Sequence, residues 1–306
     1  MLAKIILLGS HPALKYYSRH PFQLLKNRLI LISLMIKKFM GNDINFKDNV
    51  KSDTPIDVVM CAIDKDYDIL VHAIDSVRKN IKHPLGKIYI ISPLSERIKA
   101  ICEQKKCISI DENKVLPITK KDIEYKVDGH DRSGWLFQQL LKWGADKFTE
   151  NDNFLVTEAD TVFCRPRVFV NKSKIVFPVS SYPSHIPYFQ AINNLLGLRV
   201  APLINLTSHH GLYSKKILQS LKNDIEKHCN MKWYEAIIEK ADRKEGSSVS
   251  DYDSYGQYAL SKYPEDCELE YWYNIHFGRS DLGKIKTIIK KYAKNYKAIS
   301  FHSYDE

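Results

Sequence analysis

Apolar residues between positions 55 and 160 alternate between short continuous runs and helically spaced positions. The runs at residues 56–63 and 87–92 predict buried strands, and the spacing across residues 67–77 predicts a helix between them. Strand, helix and strand in this order indicate a parallel sheet. The same reasoning predicts helices at 94–107 and 135–145, and strands at 107–110 and just before Glu158. We therefore predict an α/β fold.

The second half of the chain has a weaker pattern. Residues 174–179 predict a strand, residues 208–213 a strand start or a turn, and residues 189–198, 216–229, 232–241 and 284–297 helices, the last of them strongly basic. Ser250, followed three residues later by Asp253, predicts the cap of a helix that runs to Leu260. We find no internal repeat and no glycine-rich phosphate loop, which argues against a P-loop NTPase or a nicotinamide enzyme.

The first 50 residues are predicted to form a mostly helical, basic leader, and residues 51–306 a single domain. The apolar run at 5–8 is too short for a signal peptide, and the run at 29–36 is far shorter than the roughly 20 residues of a spanning helix. Lys26, Arg28, Lys37 and Lys38 flank the second run. This helix could lie on an anionic membrane surface or pack on the main domain with its lysines in solvent.

The overall charge suggests acidic partners. The 306 residues carry a formal net charge of +10 at pH 7, which suits nucleic acid, anionic lipid or phosphorylated substrates. Six cysteines without a C-x-x-C pair fit free thiols in a reducing cytosol. We expect a cytoplasmic protein that could also be peripheral on the inner face of the membrane.

An acidic pair follows the apolar run at 154–156. Glu158 and Asp160 are spaced i, i+2, so on an extended chain both carboxylates point to the same side and can face one Mg²⁺ or Mn²⁺. Such a cation usually also takes oxygens from a diphosphate. Asp64 and Ser92 follow other predicted parallel strands, and ligands bind beyond the carboxyl ends of such strands. A simple turn with a solvated Glu158 is the alternative.

Several segments together carry a family resemblance. They are Ile56-Asp57-Val58-Val59 with Lys65-Asp66-Tyr67, the R-S-G-W-L-F-Q-Q-L-L-K run of residues 132–142, Glu158-Ala159-Asp160 where a D-x-D metal motif belongs, the S-D-Y-D-S-Y-G run of residues 250–256, and Phe301-His302-Ser303. In this order they resemble a GT-A glycosyltransferase, and most closely a largely uncharacterised group of bacterial proteins from surface-polysaccharide gene sets. The departures are Glu158 for the first Asp of the metal motif, and Asp251 and Asp253 where Glu is commoner.

The resemblance implies a Rossmann-like, mostly parallel sheet flanked by helices, and a set of roles. It implies Mn²⁺ or Mg²⁺ on Glu158, Asp160 and His302, and a catalytic base at Asp251 or Asp253, although Asp253 could serve the helix cap instead. Donor-binding candidates are Asp64, Asp66, Arg132, Gln139 and Lys142, of which the two aspartates could equally form turns. His209, His210 and Tyr255 are candidates for the acceptor pocket, and because adjacent strand residues face opposite sides, one of the two histidines is expected to be structural.

The implied function is a metal-dependent glycosyltransferase. It would move a sugar from a nucleotide-diphosphate donor to a glycan or lipid-diphosphate-linked acceptor in bacterial lipopolysaccharide or capsule synthesis, inverting the sugar with an Asp base. A nucleotidyl- or phosphoryl-transferase could use the same acidic pair. A non-catalytic nucleic-acid-binding protein would use the charge and the 18 tyrosines, but the lysines are spread along the chain and no nucleic-acid motif appears.

Overall fold

The computed structural model describes residues 21–45, 49–180, 184–199, 204–272 and 274–302, so residues 1–20 of the predicted leader and Ser303 of the last motif lie outside the described residues. The α-helices are α1 (Pro21–Phe39), α2 (Tyr67–Asn80), α3 (Glu96–Gln104), α4 (Ser133–Gly144), α5 (Ile186–Leu196), α6 (Lys215–Cys229), α7 (Trp233–Lys240), α8 (Asp251–Lys262) and α9 (Ile285–Tyr292). The strands are β1 (Ile56–Cys61), β2 (Leu85–Ser92), β3 (Ile108–Asp111), β4 (Lys126–Val127), β5 (His130–Asp131), β6 (Asn153–Thr157), β7 (Thr161–Phe163), β8 (Val170–Asn171), β9 (Lys174–Ser180), β10 (His210–Ser214), β11 (Cys267–Trp272), β12 (Asn274–Gly278) and β13 (Ala298–His302).

A five-stranded sheet in the order β10-β6-β1-β2-β3 forms the centre of the fold. β1 runs parallel to β2 and to β6, β2 runs parallel to β3, and β10 closes one edge in the antiparallel direction. Every residue of β1 is buried, as its continuous apolar run predicted. The α/β prediction is confirmed, and so are the predicted strand and helix positions around β1, α2 and β2.

Three smaller sheets surround the central one. β9 pairs with β11 and β8, β13 pairs with β12 and β7, and β4 with β5 forms a hairpin. The hairpin turns at Asp128-Gly129, where both φ angles are positive (48° and 79°), as a type I′ turn requires. The β7-β13-β12 sheet places the last residues of β13 beside the end of β6.

A buried aspartate holds together the amino-terminal ends of three strands of the central sheet. The carboxylate of Asp57 accepts hydrogen bonds from the backbone N–H groups of Lys87 (2.8 Å), Glu150 (2.6 Å) and Asn151 (2.8 Å), and from the Asn151 side chain (2.9 Å). A Cβ atom on Gly86 would lie 2.3 Å from the Asp57 carboxylate, so glycine is the residue that fits there. These bonds join β1 to the segments that begin β2 and β6.

A buried ionic network attaches the end of the leader to the domain. The Glu270 carboxylate binds Arg167 (2.8 Å) and Lys297, and Lys297 also binds Asp43 (2.7 Å). Asn45 donates a further hydrogen bond to Glu270 (3.0 Å). Burial alone would raise the pKa of Glu270, but the two cations lower it overall. The leader segment at residues 43–45 is thus part of the core of the described structure.

The same network corrects one sequence prediction. Residues 284–297 were predicted to be helical, but α9 ends at Tyr292 and Lys297 is buried just before β13. The reason is electrostatic, since a buried ammonium needs fixed carboxylate partners and Lys297 finds them only outside the helix, at Asp43 and Glu270.

Removing the charge of Glu270 tests this network. We expect Glu270→Gln to lower the free energy of unfolding by about 3 kcal/mol, because Arg167 and Lys297 would remain buried without their shared carboxylate. The measurement is urea denaturation at neutral pH, with Glu265→Gln at an exposed position of the preceding turn as the matched control. Equal losses in the two variants would contradict the role given to the network.

Candidate functional site

A cleft of about 900 Å³ opens at the carboxyl ends of the parallel strands. Its lining includes residues 61–63 after β1, Pro93 after β2 and residues 158–160 after β6. In the central sheet, β2 lies beside β1 on one side and β6 lies beside β1 on the other side. The cleft therefore lies at the point where the strand order reverses, which is where open α/β sheets bind ligands.

Asp160 and His302 meet in this cleft because of the β7–β13 pairing. Thr161 lies opposite Ser300 in that pairing, and the backbone N–H of Phe301 donates to the Asp160 carbonyl (3.0 Å). His302 Nδ1 then lies 3.1 Å from Asp160 Oδ2. Burial opposes ionisation of Asp160, but the hydrogen bond and charge of His302 lower its pKa overall. The other oxygen, Oδ1, is buried without a hydrogen-bond partner among the described residues.

Two further histidines surround His302. His276 Nδ1 lies 2.9 Å from His302 Nε2, because β12 and β13 run side by side, and the ring of His209 lies 5.2 Å from that of His302. His209 has a φ of 62°, in the left-handed region that non-glycine residues rarely adopt. Burial lowers the pKa of His209 to about 4, so its imidazole is neutral at physiological pH. Neutral imidazole nitrogens beside a carboxylate can share a cation.

Glu158 points to a buried lysine. Its carboxylate accepts hydrogen bonds from Lys142, from Tyr252 (3.0 Å) and from Gln138 (3.2 Å). Lys142 also lies 3.5 Å from Asp251 and 4.6 Å from the centre of the Tyr252 ring. Burial alone would lower the pKa of Lys142, but the charges of Asp251 and Glu158 raise it overall. Lys142 is therefore a fixed cation beneath the cleft that ties α4 to the end of β6 and to α8.

The two candidate bases lie behind the cleft rather than in its lining. Asp251 is buried and bonded to Lys142 and to the Tyr213 hydroxyl, and burial raises its pKa against the effect of Lys142. Ser250 caps α8 by accepting from the N–H of Asp253, as predicted, and α8 runs from Asp251 to Lys262.

The Asp253 side chain holds a loop. It accepts from the backbone N–H of Leu206 (3.0 Å) and from the Thr207 hydroxyl, and burial raises its pKa to about 6. The predicted base role of either aspartate stays a prediction.

Arg132 and Asp66 line the cleft as expected, and Arg279 joins them although the sequence did not single it out. Arg132 donates to the Gly246 carbonyl (2.8 Å) and lies over the Trp135 ring. Arg279 donates to the Asp66 carboxylate (2.7 Å) and to the Phe301 carbonyl (2.6 Å), and so it joins the loop after β1 to the strand that carries His302. Its only sequence signal is its position just after the short strand β12.

The remaining predicted residues divide into two groups. Gln139 lines the cleft beside Lys142, with its side chain near the Asp251 N–H (3.5 Å). Asp64 is exposed and bonds to Ser95, His210 is buried against Trp272 (4.3 Å between ring centres), and Tyr255 accepts from the Ser214 N–H (2.8 Å); none of these three lines the cleft. One of the two adjacent histidines is buried in the core while the other faces the cleft, but the cause is not strand alternation, because His209 precedes β10 and has a φ of 62°.

Of the three predicted metal ligands, only Asp160 and His302 lie next to each other. Within the residues that the structure describes, no three His, Cys, Asp or Glu side chains converge as a ready metal site. Asp160 nevertheless offers a buried, unbonded oxygen beside the His302 imidazole, and carboxylate oxygen with imidazole nitrogen suits a divalent cation. Glu158, the third predicted ligand, is bonded to Lys142 instead. Both ring nitrogens of His302 have partners, so a cation bound by Asp160 and His302 would replace one of these contacts, and metal binding itself stays a prediction.

Comparisons with known proteins give a family and distant structural relatives. The model of a family described as "Family of unknown function (DUF6492)" matches residues 65–277. No match was found among curated proteins. Similar solved structures include the galactosyltransferase LgtC with donor and acceptor sugar analogues (9% identity, 80% of this chain and 87% of that chain, TM-score 0.43) and mouse xyloside xylosyltransferase 1 (10% identity, 83% and 99%, TM-score 0.42).

A third similar structure is glucosyl-3-phosphoglycerate synthase from Mycobacterium tuberculosis with Mn²⁺, uridine diphosphate and phosphoglyceric acid (12% identity, 55% of this chain and 58% of that chain, TM-score 0.35). Because all three TM-scores lie below 0.5, the function proposed below rests on the cleft itself.

Lys142 and Asp251 should be energetically coupled, because each is the other's buried counter-charge. We expect a double-mutant cycle of Lys142→Met and Asp251→Asn to give a coupling energy of about 2 kcal/mol in urea denaturation. Pairing Lys142→Met with Asp152→Asn, at an exposed position at the start of β6, should give additive effects. Additivity in both cycles would contradict the buried ion pair.

Asp253 should make stability depend on pH. Its folded pKa of about 6 lies above the reference value of 3.8, so its contribution to stability is complete below about pH 4 and is lost as the pH rises through 6. Asp253→Asn removes this loss. The difference in the free energy of unfolding, variant minus wild type, should therefore rise by up to about 3 kcal/mol between pH 4 and pH 7. Denaturation series at several pH values measure it, with Asp152→Asn as the control. A difference independent of pH would contradict the raised pKa.

Proposed function

The chain belongs to this family of unknown function, DUF6492, and we propose that it is a glycosyltransferase that takes its sugar from a nucleotide-diphosphate donor. The observation that carries the proposal is the pairing of Asp160 with His302 at the strand-order reversal, with one buried carboxylate oxygen left unbonded. A carboxylate and an imidazole set for a divalent cation, in a cleft large enough for a nucleotide, suit a diphosphate group.

The charges around the cleft support a diphosphate ligand. Lys65, Lys120, Arg132 and Arg279 line it together with Asp160 and His302. Arg132 is held by the Gly246 carbonyl and the Trp135 ring, so its guanidinium keeps donors available for a phosphate oxygen. Lys65 and Lys120 are exposed and can adjust to the ligand.

Each part of the site would have a definite task. A divalent cation on Asp160 and His302 would neutralise charge on the departing diphosphate. Glu158, fixed by Lys142 and Tyr252, would accept hydrogen bonds from hydroxyl groups of the donor. Asp251 would act as a positioning residue that holds Lys142 against Glu158, since it is buried behind the cleft.

The acceptor would enter beside Tyr188 and Thr207, which line the cleft on the side of α5 and α8. We propose a glycan or a lipid-linked glycan as acceptor and bacterial surface-polysaccharide synthesis as the setting. The motifs quoted from the sequence support this setting.

Calorimetric titration of UDP and of GDP into the full chain tests the donor site. We expect one of the two to bind with Mn²⁺, and Asp160→Asn or EDTA to weaken that binding at least about tenfold, because the cation would lose its carboxylate or be removed. Asp152→Asn, at an exposed position just before β6 and away from the cleft, should bind like the wild type.

Two outcomes would contradict the proposal. If neither nucleotide binds to the folded protein, the cleft is not a nucleoside diphosphate site. If a nucleoside triphosphate is consumed with release of pyrophosphate, and no nucleoside diphosphate is released from a nucleotide sugar, the acidic site serves nucleotidyl transfer instead.

A further inference from the structure

Helix α1 carries an apolar stripe that the described part of the chain leaves exposed to solvent. Of the nine large apolar side chains that are exposed within the described residues, six lie on this helix and a seventh, Met40, follows directly after it. The six are Phe22, Leu25, Leu29, Ile32, Ile36 and Phe39, with exposures between 47% and 93%. Their alternating spacing of three and four residues places them on one face of the helix. A soluble monomer rarely leaves such a patch uncovered.

The opposite face of α1 already has its partner. Asn27 and Leu34 are buried, and Lys38 lies over the Tyr271 ring of β11 (5.5 Å to the ring centre). The segment after the helix is fixed by the Asp43–Lys297 ion pair. The helix is therefore attached to the domain through one face, and its outer stripe is free for a second surface.

The charged residues of α1 indicate what kind of surface the apolar stripe can contact. The helix contains four basic residues and no acidic residue. At about 100° per residue, Lys26 and Lys37 fall along one edge of the stripe and Arg28 along the other. An apolar stripe edged by cations matches a helix that lies in the plane of an anionic bilayer, with apolar side chains among the acyl chains and ammonium groups at the lipid phosphates.

The charge also argues against a second copy of the chain. Two α1 helices packed through their stripes would bring six basic residues together, three from each copy, without an acidic residue of α1 between them. Spanning a membrane is also not open to it, since none of the described helices is long and apolar enough to cross one.

We propose that α1 docks the protein on an anionic membrane surface through this stripe. The helix is about 28 Å long, so it can lie flat over several lipids. Its anchor residue Lys297 directly precedes β13, whose last residue is His302, and five residues of strand span about 17 Å. Docking would therefore hold the cleft close to the bilayer surface. The proposal rests on the surface of α1 alone and stands whether or not the cleft binds a nucleotide.

Vesicle co-sedimentation with the full chain tests the docking. We expect the wild type to pellet with vesicles that contain phosphatidylglycerol, to bind vesicles of pure phosphatidylcholine at least about tenfold more weakly, and to bind less as salt rises. Leu29→Gln/Ile32→Gln/Ile36→Gln should weaken binding at least about tenfold, because the stripe loses its apolar centre while the helix-forming tendency is kept. Leu94→Gln, at an exposed apolar position in the loop between β2 and α3, is the matched control and should leave binding unchanged.

The basic edge is tested separately. Lys26→Gln/Lys37→Gln should weaken binding to phosphatidylglycerol vesicles roughly thirtyfold, since each of the two lysines near such a surface contributes on the order of 1 kcal/mol. Lys114→Gln/Lys227→Gln, exposed and outside α1, should have little effect. Melting curves show whether each variant is folded.

Three results would overturn the proposal. One is a wild type that fails to pellet with anionic vesicles. Another is a folded triple variant that binds like the wild type. The third is a dimer in light scattering that the triple variant dissociates, because a second copy would then cover the stripe.

Discussion

The cleft depends on one buried cation, the ammonium group of Lys142. It lies between Asp251 and Glu158, under the ring of Tyr252, and its side chain is 2% exposed. A buried lysine is costly unless carboxylates hold it, and a buried carboxylate such as that of Asp251 is costly unless a cation lies beside it. Because the three groups come from α4, α8 and the end of β6, their mutual requirement fixes these elements around the floor of the cleft.

That arrangement divides the acidic pair between two tasks. The carboxylate of Glu158 faces Lys142, and the carboxylate of Asp160 faces His302, so the two side chains meet different partners although they are two residues apart. The β7-β13-β12 sheet makes the second contact possible, because it carries His302 and His276 to the end of β6. Arg279 then ties this sheet to the loop after β1. The site is thus assembled from distant parts of the chain by strand pairing and ion pairs.

The sequence predicted the parts whose signals are local. Continuous apolar runs indicated β1 and β2, helical spacing indicated α2, and strand-end logic brought Glu158 and Asp160 to the cleft. It missed β12 and β13, which are short and owe their place to pairing across long sequence separations. It therefore missed His276 and Arg279, and it extended a helix as far as Lys297. Local spacing also could not tell that Asp251 would be buried behind Lys142, because that depends on where α8 packs.

The most direct test of this account is the position of a bound cation. Crystals of the full chain grown with Mn²⁺ and the nucleoside diphosphate that binds in calorimetry would show manganese through its anomalous scattering. The account predicts one strong peak beside Asp160 and His302, with the diphosphate next to it and Lys142 still on Glu158. A peak elsewhere, or a nucleotide bound outside the cleft, would contradict it.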